Sequence, residues 1–577
     1  MLKLVLGTSG SGKTTLLYAR IRARAEAGKR SILLVPEQFT SSTEARIYRE
    51  LGDALSGMVE SYSFTSLAEH ILAIEGGAAV QTLTDAGRAV LVRRALEELQ
   101  DNVHYYYRHR RSAAFCQMAA ETIDELKSAG LSGQQLQELA RDCGTESAKL
   151  GELALIFQGY ESLLAGTGMD PADRLELAAD RLEAALARDE LPDFLREREV
   201  FIDEFDTFNA PKKRLMGAML AALPAVTVAL CEDGAPMQPG DLELFSGAKQ
   251  VAAQLRQLAR KNGAQVAAPE LLRRDLRHKD APGLAALTEL LETGSCTPPE
   301  SAPELRLFAA ASREEEARCA AAAIRRLMRQ GVRCGKIAVV CRDISLYRAA
   351  VRYEFRMAEI PLYCDEPTTP EFSAPATAVR ALLALLRGAD MTEQLTVLAK
   401  TGLCDLTEPE VCALENYAYT WSPNAAAWRA EFTKSPRGFG DAELTEEDTL
   451  NMTRAENARK KLVTAVDTLR SKVRSANAEQ ISRALYFCLK ELGAEEQQAA
   501  QVEDIRTARG IPAAEEAARE WNVVMQLLDE MARLLGSQGI TVPEYEDLFG
   551  LLLRSSDLGH IPQTLDAVVL ASAGKMR

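Results

Sequence analysis

Short apolar runs and longer helical patterns alternate along the chain. Runs typical of buried strands occur at Leu2–Leu6, Ser31–Pro36, Val200–Phe205 and Val226–Cys231. The first two flank a segment with helical periodicity, and strand, helix and strand at this spacing predict a parallel sheet. Ser61–Thr65 is predicted as a short strand or turn that leads into another helix. The N-terminal part of the chain is therefore predicted to contain an α/β core.

Helical periodicity dominates two longer stretches, from about Thr84 to Glu190 and from Ala374 to about Leu553. A polar, proline-bearing region at about Pro236–Pro303 precedes a second group of apolar runs. The runs of this second group that are predicted as strands are Leu305–Ala311, Lys336–Arg342, Ile360–Cys364 and Ala567–Ala571. The predicted fold class is α/β, with two parallel-sheet cores that are each interrupted by a large helical insertion.

Composition narrows the class of protein. The 577 residues are 47% hydrophobic and 26% charged, as in ordinary globular proteins. The eleven cysteines include no CxxC pair, so neither a disulfide framework nor a zinc site is indicated. No apolar run approaches the ~20 residues of a membrane span, and no signal peptide precedes the first strand, so we expect a cytoplasmic protein. The net charge of −15 argues against a generally basic nucleic-acid-binding surface but allows a local basic groove.

A glycine-rich loop directly follows the first predicted strand. Its glycines allow consecutive backbone N–H groups to turn around an anion, and the next helix adds its own unpaired N–H groups. Lys13 would reach the β- and γ-phosphates of ATP, and the Thr14 hydroxyl would bind Mg²⁺. The predicted nucleotide-binding residues are Gly7, Thr8, Ser9, Gly10, Ser11, Gly12, Lys13 and Thr14. The alternative is a glycine-rich turn without a ligand.

Two acids follow the strand predicted at Val200–Phe205. Asp203 would hold Mg²⁺ through water, and Glu204 could activate the attacking water as a catalytic residue. The long separation between Lys13 and Asp203 fits an inserted helical domain. The alternative is a strand whose end is simply capped by acids.

The segment Tyr105–Arg111 combines three tyrosines with arginines and a histidine. Aromatic and cationic side chains together are typical of proteins that bind single-stranded nucleic acid. A corner between two helices with a solvated basic edge is the alternative interpretation.

Two α/β cores with helical insertions, the first with the glycine loop, resemble the plan of superfamily 1 helicases. More specifically, the sequence resembles the B subunit of the bacterial AddAB (RexAB) helicase–nuclease. The matching stretches are GTSGSGKT, LLVPEQFT, VFIDEF, SREEEARCAAAAIRRLMRQGVRCGKIAVVCRD, IPLYCDEP and IPQTLDAVVLASAGKMR. The resemblance implies P-loop, RecA-like cores 1A and 2A with insertions 1B and 2B. The domains expected from it are 1A at 1–83 and 198–300, 1B at 84–197, an incomplete 2A at 301–390 and 562–577, and 2B at 391–561.

The resemblance also implies a function. A protein of this family binds ATP and Mg²⁺ and forms a heterodimer with an AddA-type motor and nuclease subunit. The complex acts on single-stranded DNA and duplex ends during double-strand break repair. No membrane partner is expected. The family's nuclease domain, which carries an iron–sulfur cluster, follows the region represented here. We therefore expect the sequence to be part of a longer protein and assign none of its cysteines to a cluster.

Further residues are predicted to take part in ATP hydrolysis or to contact DNA. Arg342 matches the position of an arginine finger in related motors. Glu232 and Asp233 stand where such helicases carry a motif III glutamine, so we expect ATP binding with weak or absent hydrolysis. Ligands of open α/β sheets lie beyond the carboxyl ends of the strands. The residues predicted there to contact DNA are Gln38, Thr40, Phe64 and Phe208, the two phenylalanines by stacking on bases unless they lie in the core. Two alternative functions remain: a DNA-scanning scaffold with a vestigial P-loop, or an autonomous P-loop ATPase or helicase.

Overall fold

The computed structural model describes the chain except for residues 78–81, 237–243, 365–368, 441–442, 475, 537–538, 557, 559–565 and 575–577. Parts of the matching stretches IPLYCDEP and IPQTLDAVVLASAGKMR, and of the domain segment 562–577, therefore lie outside the described residues. The strands are β1 (Leu2–Gly7), β2 (Ser31–Leu34), β3 (Val59–Tyr62), β4 (Glu199–Ile202), β5 (Ala225–Cys231), β6 (Glu270–Leu272), β7 (Ala338–Cys341), β8 (Leu362–Cys364) and β9 (Val568–Ser572).

The helices occupy most of the remaining chain. They are α1 (Lys13–Glu26), α2 (Thr40–Leu51), α3 (Asp53–Ser56), α4 (Phe64–Glu75), α5 (Asp85–Glu98), α6 (Ala113–Ser128), α7 (Gly133–Ala140), α8 (Ser147–Thr167), α9 (Pro171–Ala187), α10 (Ala210–Ala222), α11 (Ser246–Lys261), α12 (Pro282–Thr293), α13 (Arg313–Arg329), α14 (Ile344–Met357), α15 (Ala374–Arg387), α16 (Met391–Lys400), α17 (Glu408–Trp421), α18 (Ala425–Arg429), α19 (Glu446–Val473), α20 (Ala478–Glu491), α21 (Ala494–Arg509), α22 (Ile511–Leu535) and α23 (Val542–Ser555). Single turns of 3₁₀ helix are found at Glu37–Phe39, Gly144–Glu146, Cys334–Lys336 and Pro370–Phe372.

Among the described residues, six strands form a parallel sheet, the first sheet, in the order β3-β2-β4-β5-β1-β6. Because successive side chains of a strand point to opposite faces, Leu4 and Leu6 contribute to one apolar core and Val5 to another. Helices α4, α9, α10 and α11 supply the first of these cores, and α1 and α2 supply the second. Both faces of the sheet are thus covered, as parallel sheets require. The prediction of an α/β fold with parallel sheets is confirmed.

A second, smaller sheet has the order β7-β9-β8 and is also parallel. Its apolar cluster includes Val568 and Leu570 from β9 and is completed by α13 and α14. Strand β7 is less covered: Ala338 and Val340 are exposed, and the side chain of Val340 is 49% exposed. The second sheet therefore presents an edge strand with one face open.

Helices from the two predicted insertions share one hydrophobic core. Buried side chains of α5, α6 and α8 belong to the same cluster as those of α15 to α23. Polar contacts connect the two sets: the Thr84 hydroxyl donates to the Glu530 carboxylate at 2.9 Å, and Arg93 lies 3.4 Å from Glu544. Helical periodicity predicted both sets of helices, but it could not show that they pack on each other.

Two strand predictions need correction. The strand predicted at Leu305–Ala311 is wrong, because the segment is irregular and Leu307 is fully exposed. Glu270–Leu272, inside the region predicted to be polar, forms β6 and pairs with Val5–Gly7 of β1. The domain boundaries themselves remain a prediction.

Candidate functional site

The glycine loop, residues Gly7–Lys13, connects β1 to α1 at the carboxyl edge of the first sheet. Gly10 and Gly12 have φ of +79° and +90°, a region that L side chains rarely adopt. A Cβ atom on Gly10 would lie 2.7 Å from Asp275 Oδ1, and one on Gly12 would lie 3.1 Å from Leu276 Cδ1. The backbone conformation and the crowding both select glycine at these positions.

Lys13 is the first residue of α1 and lies over the loop. Its ammonium donates to the carbonyl oxygens of Gly7 and Thr8, both at 2.8 Å. Burial lowers the pKa of Lys13, while Cys231 and the Asp203 carboxylate act in the opposite direction. The first turn of α1 also carries Thr14, which is partly buried. The Lys13 ammonium and the N-terminal N–H groups of α1 thus both lie at the glycine loop.

Ser11 provides a test of whether this loop suits an anionic ligand. Its side chain is 3% exposed, and its hydroxyl has no hydrogen-bond partner among the described residues. A buried polar group without a partner is costly. The loop therefore has unused hydrogen-bonding capacity next to Lys13, which fits a bound phosphate.

Asp203 and Glu204 follow β4, which is separated from β1 by β5 alone. The Asp203 N–H donates to Leu34 O at 3.1 Å, so the backbone continues the strand by one residue. Asp203 is buried, and its Oδ1 accepts from the Glu204 N–H at 2.9 Å. Glu204 has a φ of +66°, a conformation that costs a non-glycine residue roughly 1–3 kcal/mol and is concentrated at functional sites. Because β4, β5 and β1 are parallel neighbours in this order, Asp203 and Lys13 follow strands that end at the same edge of the sheet.

Strand β5 ends between these two elements. Its next residue, Glu232, donates its N–H to Gly7 O at 3.1 Å and has a buried side chain. Burial raises the pKa of the Glu232 carboxyl, whereas the charges of Arg256 and Lys249 lower it. The residue at the position expected for a glutamine is therefore a buried carboxyl at the centre of the sheet edge.

A second wall of the site was not predicted from the sequence. The Leu276 N–H donates to Gly10 O at 2.9 Å, and the Arg277 guanidinium lies 3.4 Å from the Ser9 hydroxyl. Asp275 fixes this turn by accepting from the backbone N–H of Arg277 at 3.0 Å and by pairing with His278 Nδ1 at 2.8 Å. The charged run Arg273–Asp280 was the available indication, but its position against the loop depends on β6.

Helix α12 contributes an acid to the same wall. Burial raises the pKa of the Glu292 carboxyl, and a hydrogen bond from Thr8 and the charge of Lys13 partly offset this. A carboxylate from α12 thus lies close to the Lys13 ammonium.

The four residues predicted to contact DNA have different environments. Gln38 is exposed and Thr40 is partly buried, both just beyond the carboxyl end of β2. The Thr40 hydroxyl donates to Glu37 O at 2.9 Å. Because β1, β2 and β4 are parallel, these residues share the sheet edge with the glycine loop.

Phe64 and Phe208 lie in the core instead. Their side chains are 2% and 4% exposed, and both rings pack edge-on or tilted around Phe205 at centroid distances of 5.2 and 5.4 Å. Buried rings offer no face to a base, so the structure does not support stacking by these two residues. The position of a residue after a strand end indicates where it lies in the fold, but it does not show whether its side chain points to solvent or into the core.

Arg342 follows β7 of the second sheet and is exposed. Its carbonyl oxygen accepts from the Ser572 hydroxyl at 3.4 Å, next to the end of β9. The arginine thus projects from the carboxyl edge of the second sheet, and its role as an arginine finger stays a prediction.

A family model described as "ADDB, N-terminal" matches residues 4–288, which include the glycine loop, the strand with Asp203 and the wall at Asp275–His278. Residues 4–288, about half of the chain, therefore match the N-terminal part of the AddB family. The resemblance found in the motifs is confirmed.

Curated relatives of the AddB family match the full chain. Each is named as the B subunit of an ATP-dependent helicase/deoxyribonuclease. The one from Moorella thermoacetica is 30% identical over 600 residues, covering 100% of this chain and 51% of the relative. Those from Desulforudis audaxviator and Clostridium acetobutylicum are 29% and 24% identical, covering 51% and 50% of their own lengths. The chain spans about half the length of the curated relatives it matches.

Two kinds of feature are absent from the described residues. No described helix combines the length and the apolar character needed to cross a membrane. Across the same part of the chain, no three or more His, Cys, Asp or Glu side chains are grouped so that they could hold a metal ion.

Proposed function

We propose that this chain is the ATP-binding, helicase-like portion of an AddB-type subunit, and that it guides single-stranded DNA within a helicase–nuclease used for recombinational repair. The observation that carries the proposal is the joint placement of the glycine loop, Lys13 and Asp203 at one edge of a parallel sheet. A strand between the loop strand and the acid strand leaves space above the sheet edge for a ligand. The first sheet would be the RecA-like core 1A and the second sheet part of 2A.

Each residue has a defined task in this proposal. The N–H groups of Gly10, Ser11 and Gly12 would hold the phosphates, and Lys13 would leave its loop carbonyls to neutralise them. Thr14 and Asp203 would hold Mg²⁺, which neutralises charge on the phosphates when bound.

Two residues are proposed to catalyse the hydrolysis of ATP, if the chain hydrolyses it. Glu204 would orient a water molecule, and Arg342 would stabilise charge that develops on the phosphate. We expect hydrolysis to be weak or absent because a carboxyl, Glu232, occupies the position expected for a glutamine.

The DNA and the partner follow from the relatives. Their names describe them as B subunits of helicase/deoxyribonucleases, which supports a partner of the AddA type for this chain. Gln38 and Thr40, at the same sheet edge as the loop, would contact the strand that passes over it. Single-stranded DNA and duplex ends are the proposed substrates of the assembly.

A scaffold with a vestigial loop is the second candidate function. It is favoured by one observation: Lys13 donates to the loop's own carbonyls, which satisfies the ammonium without a phosphate. In that case the sheet would support DNA binding without nucleotide. An autonomous ATPase, the third possibility, would require turnover by this chain alone.

Thermal unfolding with and without ATP–Mg²⁺ tests the proposal. A ligand at a hundred times its Kd stabilises the native state by about 2.7 kcal/mol. We expect this stabilisation in the wild type and in Lys29→Ala, which removes an exposed lysine beyond the far end of α1. Lys13→Ala should abolish it. An equal stabilisation of Lys13→Ala would contradict the proposed site, and no stabilisation of the wild type would favour the scaffold.

A further inference from the structure

The loop between α5 and α6 carries an aromatic and basic cluster that the proposed function does not use. We call residues His104–Arg111 the tyrosine–arginine loop. It lies in the helical part of the molecule, beside α8 and α23 rather than at the edge of either sheet. Its sequence runs His, Tyr, Tyr, Tyr, Arg, His, Arg, Arg.

Glu152 of α8 fixes the backbone of this loop. Its carboxylate, 9% exposed, accepts from the N–H groups of His104, Tyr105 and Tyr106 at 2.7, 2.6 and 3.0 Å. Charge-assisted hydrogen bonds of this kind are among the stronger ones in proteins. The loop is therefore held in one conformation by a buried acid, and its side chains are presented from a rigid base.

The three tyrosines alternate in direction. Tyr106 packs into the helical core, with its ring 4.9 Å from that of Phe115. Tyr105 and Tyr107, on either side of it, are 58% and 52% exposed. The anchored Tyr106 ring therefore lies between two rings that present much of their surface to solvent.

Arginines lie next to Tyr107 and along the rest of the loop. The Arg110 guanidinium lies 3.8 Å from the centroid of the Tyr107 ring, and a hydrogen bond from Arg110 lowers the pKa of Tyr107. Arg108 is exposed, and Arg111 is exposed with its guanidinium 3.4 Å from Glu544. In a chain with a net charge of −15, such a concentration of positive charge creates a local field that attracts anions.

These features together select one class of partner. Planar, exposed rings next to guanidinium groups match a polymer that offers unpaired bases and phosphates. A duplex would offer its phosphates but would keep its bases stacked inside. An acidic protein segment would use the arginines but would leave the tyrosine faces without a partner.

We infer that the tyrosine–arginine loop is a binding surface for single-stranded nucleic acid, with Tyr105 and Tyr107 stacking on bases and Arg108 contacting phosphate. The inference deepens the proposed function by adding a contact point far along the chain from the strand-end residues Gln38 and Thr40. It rests on the proposed function only in requiring that the chain binds DNA.

Fluorescence anisotropy of the full chain with a labelled oligothymidine of about 20 nucleotides, longer than a typical single-strand binding site, tests the inference. Tyr107→Ala should weaken binding about fivefold or more, since stacking contributes about 1–3 kcal/mol per base. Tyr107→Phe, which keeps the ring, should retain most of the affinity. A plot of log K against log salt has a negative slope, and Arg108→Ala should make that slope less steep by about 0.7. This is the value for one lost phosphate contact to a single strand.

Matched controls come from α14, which carries an exposed pair, Arg352 and Tyr353, the latter 57% exposed. Tyr353→Ala and Arg352→Ala should leave affinity and salt slope unchanged. An unlabelled duplex of the same length should compete poorly with the oligothymidine. All variants should keep the wild-type melting temperature, because the altered side chains are exposed.

Failure of the inference can be told apart from failure of the proposed function. If the wild type binds the oligonucleotide but Tyr107→Ala and Arg108→Ala bind like the controls, the tyrosine–arginine loop is not a contact. If a duplex competes equally, base stacking is excluded. A polyglutamate peptide serves as an acidic protein segment in the same assay. If Arg108→Ala loses binding to this peptide but binds the oligonucleotide as the wild type does, the surface binds a protein and the inference is overturned. If the wild type binds no oligonucleotide, the proposed DNA binding fails as well.

Discussion

The two sheets of this molecule arise from similar patterns in the sequence but differ in how they are covered. Every residue of β4 in the first sheet is buried, whereas exposed and half-buried residues alternate along β7 in the second. Helices cover both faces of the first sheet, and it supports a glycine loop whose left-handed conformation is braced by the turn at Asp275–His278. The comparison indicates that the fully covered sheet offers the better-packed base for the proposed phosphate-binding groups.

The largest expected effect distinguishes the cores of the two sheets. Phe201 is fully buried in β4, so Phe201→Ala should lower the free energy of unfolding by about 3–5 kcal/mol. Val340→Ala in β7 should change it by no more than about 0.5 kcal/mol, because Val340 is 49% exposed. Urea denaturation followed by circular dichroism measures both. Equal losses would show that the second sheet is as well packed as the first.

A smaller effect sharpens the comparison at the loop itself. Gly10 and Gly28 both have positive φ, +79° and +72°, so alanine at either should cost roughly 1–2 kcal/mol through backbone strain. Only Gly10→Ala also brings a Cβ within 2.7 Å of Asp275 Oδ1, whereas Gly28 has nothing within 4 Å. We therefore expect Gly10→Ala to be less stable than Gly28→Ala in thermal unfolding.

The same pair separates stability from binding. Gly10→Ala should lose stabilisation by ATP–Mg²⁺, and Gly28→Ala should keep it. Retained stabilisation in Gly10→Ala would mean that the crowding at Asp275 does not shape the ligand site.

The sequence predicted those elements that depend on local pattern. Buried strands such as β2 and β5 are continuous apolar runs, and helical periodicity located the helices of both long stretches. Strand β6 was not predicted because none of its three residues is buried and it forms an edge strand beside β1. Leu305–Ala311 failed in the opposite way, because apolar composition favours a strand only where a neighbouring strand provides hydrogen bonds.

The residues of the candidate site also fall into those that a local pattern predicts and those that it does not. The glycine loop and the acid after β4 could be located from the sequence because a glycine run after a strand and an acid at a strand end are local patterns; their binding of phosphate and metal remains a proposal. The contact of Arg277 with Ser9 joins residues 268 positions apart, and no local pattern encodes it. Phe64 and Phe208 are buried in a cluster in which their rings and the ring of Phe205 contact one another. Side-chain direction at strand ends thus requires the tertiary packing.

The central claim is that the loop after β1 and the acid after β4 form one site for ATP and Mg²⁺. Titration of a fluorescent ATP analogue with and without Mg²⁺ tests it most directly. We predict that Mg²⁺ tightens wild-type binding about tenfold, or about 1.4 kcal/mol, and that Asp203→Asn keeps metal-free binding but loses most of this gain. Lys13→Ala should bind weakly under both conditions. The claim would be contradicted if the wild type did not bind the analogue. It would also be contradicted if Mg²⁺ tightened binding to Asp203→Asn as much as to the wild type.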